Sequence, residues 1–140
     1  MNHLKRLPDW RAKLHRVVAS RTAMPFAWHD NDCARFAAAC VEAVTGHDFF
    51  AAFLGKYTDK AGAAAALQAE GFASLEDLAA ANFPEINLAK AQVGDLAMVD
   101  SGEQGLALGV FMGERVGVIH PARGYATVDR ARAVRAFKVA

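Results

Sequence analysis

FAWHDNDCARFAAACVEAVTG, residues 26–46, reads as a tight polar loop that delivers a cysteine onto the first turn of a buried helix. Asp32 stands where an N-cap belongs, its carboxylate free to bond first-turn amides. Cys33 is then the first helical residue. Phe36, Ala37, Cys40, Val41 and Val44 recur at steps of three and four, one apolar helix face. Gly46 follows the last periodic position and suits the left-handed C′ conformation. A thiol at a helix N-terminus sits at the positive end of the macrodipole, which is expected to lower its pKa and favour thiolate. The same position more often holds just a small buried residue at a capped helix start, since free cysteine is commonly a core residue.

The rest of the chain narrows the function classes. Its 140 residues, 54% hydrophobic and 22% charged, describe one globular domain, residues 1–140. A net charge of +1 gives no electrostatic case for nucleic acid. Arg130, Arg132 and Arg135 are the one local cluster of cations, read as a solvated edge. No apolar run is long enough to span a membrane, and the N-terminus MNHLKRLPDW lacks the apolar core of a secretory signal. The two cysteines lie on one expected helix, roughly 10 Å apart along its axis, beyond disulfide reach. Free thiols suit a reducing cytoplasm. Two Cys and five His form no paired-ligand spacing, so neither a metal nor a cofactor is expected.

Read in order, the first half is helical, about 9–82, and the second a sheet, about 93–139. Pro8 and Asp9 open a helix to about Arg21, with Trp10, Leu14, Val17 and Val18 on one face. Asp48 can cap a short helix whose Phe49, Phe50 and Phe53 plug the core. An alanine-rich helix from about Lys60 to Glu70 stops at Gly71, and Ser74 opens a capping box for a helix from Leu75 to Ala81. Residues 82–91, with Pro84, form a connection. Leu96–Val99, Leu106–Met112, Val116–His120, Tyr125–Val128 and Val134–Val139 are strand candidates, with SGEQG and MGER as turns. Helices first and strands second, without alternation, indicates α+β: N-terminal helices on a C-terminal curved antiparallel sheet.

The order of motifs resembles the NlpC-type branch of the papain-like cysteine peptidase superfamily, the bacterial cell-wall endopeptidases. Asp32-Cys33 matches that family's Asp-Cys nucleophile step. Gly94-Asp95-Leu96 matches its G-D-L step, ALGVFMG (107–113) its H-V-G-I-Y-x-G strand, and Val118 to Pro121 its F-I-H-A strand end. FAWHDNDCARFAAACVEAVTGHD is similar to the N-terminal pattern of small phage-encoded members found with tail genes. The resemblance covers residues 26 to about 124. It implies an NlpC-type fold, Cys33 as nucleophile and His120 as the third polar residue. The base position falls on Ala107, which cannot take a proton. His29 or His120 is the stand-in base if the site works; otherwise His29 and Asp30 preorganise the loop and His120 ends a strand. His3, His15 and His47 read as surface or capping residues.

Asp30 and Asp32 as a glycosidase pair are outweighed by the capping role of Asp32, and Asp95 reads as a turn residue. Trp10 and Trp28 are core or interface aromatics. Two functions follow. The first is a structural or assembly component of a phage tail, at the tip or hub, carrying a degenerate peptidase-like site, assembled in host cytoplasm and located in the virion with other tail proteins as partners. The alternative is a virion-associated peptidoglycan endopeptidase or amidase using Cys33, with peptidoglycan as partner. A stand-alone toxin or immunity module is a third, weaker reading.

Overall fold

A computed structural model describes residues 4–102 and 105–140. Four helices come first: α1 (Trp10–Arg21), α2 (Cys33–Thr45), α3 (Lys60–Ala69) and α4 (Leu75–Asn82), with a 3-10 turn at Ala51–Phe53. Six strands follow: β1 (Glu85–Ile86), β2 (Leu96–Asp100), β3 (Leu106–Phe111), β4 (Arg115–His120), β5 (Gly124–Asp129) and β6 (Ala133–Phe137). They form one sheet in the order β1-β6-β2-β3-β4-β5, every neighbouring pair antiparallel. The class is α+β.

α2 forms where its pattern demands. Asp32 accepts from the Arg35 amide at 2.8 Å, and Gly46 closes the far end at φ 82°. Its apolar face is fully buried against α1 on one side and β3 and β4 on the other. Phe49, Phe50 and Phe53 are all buried, and Asp48 holds their turn by accepting from the Phe50 amide at 2.8 Å. Ser74 caps α4 by accepting from Asp77 N. α3 buries no residue fully: its alanines give helix propensity, and Ala63, Ala66 and Leu67 pack half-buried against the core.

Strand alternation sorts the sheet into two faces. Leu96, Met98, Leu108, Val110 and Ile119 join the helices in the main core. Ala97, Val99, Phe111, Val116 and Val118 form a second, smaller core on the other face. The register of β6 shifts opposite Met98/Val99, and Val134 is left exposed at that irregularity. Gly109 is required where β3 meets β4, since a Cβ there would stand 2.9 Å from the Gly117 carbonyl.

Two sequence expectations change. Residues 82–91 are not all connection: Glu85 and Ile86 pair with Phe137 and Ala136 as an edge strand, too short to carry a period of its own. Within the arginine cluster Arg132 and Arg135 stay at the surface, and Arg130 is a clamp rather than part of a solvated edge. Arg130 donates to the carbonyls of Gly113, Leu88 and Ala91 and lies 4.6 Å over the Phe111 ring. It thereby fastens residues 88–91 across the second core. Arg132 bonds the Asp100 carbonyl, and Arg135 pairs with Glu76 and Glu85. His3 lies outside the described residues, as do Glu103 and Gln104 of the SGEQG turn, whose flanks meet through Ser101 N to Gly105 O at 2.9 Å.

Asp95 ties the chain ends together. Its buried carboxylate accepts from Gln92 N at 2.9 Å and Val139 N at 3.0 Å, and meets Arg6 at 3.3 Å. Arg6 also donates to the Val93 and Ala140 carbonyls.

Candidate functional site

The loop before α2 is built from inside by Asn31. Its side chain donates to the carbonyls of Met24 and Pro25 and accepts from Arg21 at 3.1 Å, while its backbone pairs with Ala27. The tight return puts His29 at φ 74°, a left-handed conformation. Gly124, at φ 71°, lets the start of β5 approach this loop, since a Cβ there would stand 2.8 Å from Met24 O.

Asp32 then does more than cap. One carboxylate oxygen takes Arg35 N; the other takes His29 N at 2.9 Å and the hydroxyl of Tyr57. Both Asp32 and Tyr57 are buried. Burial, and after it the bond to Asp32, push the Tyr57 phenol far above its ordinary value. Tyr57 was not among the sequence candidates. Its one sequence signal is indirect: a buried capping aspartate needs donors beyond the helix amides.

Cys33 sits on the wall of a small pocket of about 70 Å³, among Trp28, Phe50, Phe53, Leu67 and Leu78, with Asp32 and Tyr57 as its polar neighbours. The expectation of a lowered thiol pKa is reversed. Burial pushes Cys33 up to about 11, and the Asp32 charge adds to the rise; the amides of Leu108, Ala34 and Cys33 itself pull down and do not prevail. The dipole of one helix end is outweighed by apolar walls.

The two candidate bases are engaged elsewhere. His29 Nε2 accepts from Gly55 N at 2.8 Å, so Nδ1 carries the proton and donates to Asp30 at 2.8 Å. Its ring stands edge-on to Phe50 and Tyr57. His120 ends β4 opposite Gly124, and its Nδ1 accepts from Ala122 N at 3.0 Å. Neither imidazole hydrogen-bonds the thiol. Ala107 pairs with Val99, a residue of the second core, so alternation turns it away from α2. By the same alternation His120 shares the side of Val116 and Val118. The residues of β3 that share the Cys33 core are Leu108 and Val110.

The arrangement fixes a loop, caps a helix and lines an apolar pocket with a protonated thiol. Among the described residues, no group of three or more His, Cys, Asp or Glu could hold a metal ion. No helix among them is long and apolar enough to cross a membrane.

Fold and site together define an α+β protein with a half-buried, pocket-lining cysteine at the head of its central helix. The chain belongs to the family described as a domain of unknown function (DUF6950), whose model matches residues 5–139. No curated protein matches the chain.

Proposed function

We propose that this chain is a non-catalytic member of the NlpC-type papain-like group that serves as an assembly component of a phage tail, at the tip or hub, located in the virion. The protonated, pocket-lining thiol of Cys33, with no imidazole bonded to it, is the observation that carries this reading. A peptidase of this type needs a base beside the sulfur to form the thiolate and to protonate the leaving amine. The motif resemblance to tail-associated members supplies the tail assignment. The apolar pocket, with Trp28 36% exposed at its side, supports a contact with an apolar side chain of another tail protein.

Phage particles carrying Cys33→Ala, His29→Ala or Trp28→Ala test this. Cys33→Ala and His29→Ala should give assembled, infective particles, and Trp28→Ala should block incorporation into tails. Cys33→Ala particles that assemble and yet fail to penetrate the wall would reverse the order, leaving a peptidoglycan endopeptidase or amidase that uses Cys33.

A further inference from the structure

A second and larger depression, about 470 Å³, lies between α1 and α2. Lys13, Arg16, Arg21 and Arg35 line it against Glu42 and Asp48, a net charge of +2. Lys13 is partly spent on Asp9 at 3.7 Å. Arg21 uses one nitrogen on the Asp30 carbonyl and the Asn31 side chain. Arg35 is different. Its guanidinium lies 5.3 Å over the Phe50 ring, and its Nη1 is shielded from solvent with no acceptor among the described residues. A shielded charged donor without an acceptor is costly, and folded chains rarely keep one without a use for it. The Arg35 charge also acts on Arg21, lowering its pKa after desolvation has done so. An anion in the groove would relieve both guanidiniums at once.

We propose that this groove binds an acidic segment of a partner polypeptide, with one carboxylate held by Arg35 and flanked by Arg16 and Arg21. The planar guanidinium fork matches a carboxylate in two parallel bonds. The four cations are spread over α1 (Lys13, Arg16, Arg21) and α2 (Arg35) rather than gathered round one point, which suits carboxylates spaced along a segment better than a single phosphate. Val17 and the 45%-exposed Leu54 supply apolar wall beside the cations, suited to a segment in which acidic and apolar residues alternate. Binding requires the Arg35 side chain to turn off Phe50 toward the ligand. The site is independent of Cys33 chemistry and stands whether that thiol is inert or reactive.

The test uses the full chain, isotope-labelled, titrated at low salt with acetyl-Glu-Leu-Glu-Leu-Glu-amide, its all-Gln counterpart and inorganic phosphate. The Glu peptide should shift the Arg35 Nε signal and bind about tenfold or more tighter than the Gln peptide, weakening as salt rises. Arg35→Gln should abolish that preference while the melting temperature stays close to wild type. If Arg35→Gln fails to fold, Arg16→Gln, on the exposed face of α1, should still weaken the Glu peptide. Equal binding of the two peptides, no binding of either, or displacement of the Glu peptide by phosphate would each overturn the proposal.

Discussion

The hydroxyl of Tyr57 donates to the carboxylate of Asp32, the residue that caps α2 one position ahead of Cys33. That bond joins the loop after the phenylalanine turn to the start of the central helix, 25 residues away in the chain. Asp32 is thereby filled by three donors, and the thiol beside it is left with a neighbouring negative charge and apolar walls.

Removing the donor should cost stability and leave thiol chemistry nearly unchanged. Tyr57→Phe strips one bond from a buried carboxylate, a loss of about 1–2 kcal/mol. Asp32→Ala removes the helix cap and orphans both the Tyr57 hydroxyl and the His29 amide, a loss of about 3 kcal/mol. Urea unfolding of both variants checks the order, which should be Asp32→Ala the worse.

The link between Arg6 and Asp95 holds both chain ends against the start of β2. Arg6→Ala leaves the buried Asp95 carboxylate with backbone donors alone and frees the Val93 and Ala140 carbonyls. The expected loss is about 2–3 kcal/mol. Hydrogen exchange should speed first at the C-terminal residues that Asp95 and Arg6 fasten.

Gly109→Ala would put a methyl group 2.9 Å from the Gly117 carbonyl and from the Val116 side chain. Backbone cannot yield there without opening β3 from β4, whose registered contact is Val110 with Gly117 and Phe111 with Val116. Destabilisation of about 1–3 kcal/mol is expected, read from thermal melting.

Much of this fold was legible from periodicity. The α2 cap, its apolar face, its glycine stop and the phenylalanine plug all follow from local spacing, and the structure keeps each of them. The candidate site was less legible because its determinants are not local. Tyr57 reaches Asp32 across the fold, and no spacing announces that. Arg130 looks like surface charge in sequence and acts as a clamp on three carbonyls. Whether Ala107 faces the thiol depends on strand parity, where a shift of one residue reverses the answer. The thiol pKa departs from the helix-dipole expectation for a related reason: the helix end is visible in sequence, and the apolar side chains of α3 and α4 that line its pocket are not.

Alkaline stability should carry the mark of that thiol. Folding raises the Cys33 pKa from its ordinary 9.0 to about 11, so the folded chain keeps a proton that the unfolded chain releases. The stabilisation is full below about pH 9 and is lost as pH rises through about 11, on the order of 1–2 kcal/mol after allowance for partial exposure. Cys33→Ala should flatten part of that fall. Cys40, Tyr57 and Tyr125, all raised by burial, add to the same fall.

The rate of Cys33 alkylation against pH, measured in a Cys40→Ala background, is the most direct test of an inert thiol. The rate should climb with pH up to about 11, with very little thiolate near neutral pH. A rate that levels off at or below about pH 8.5 would mean a thiolate poised for attack, and would contradict an inert thiol.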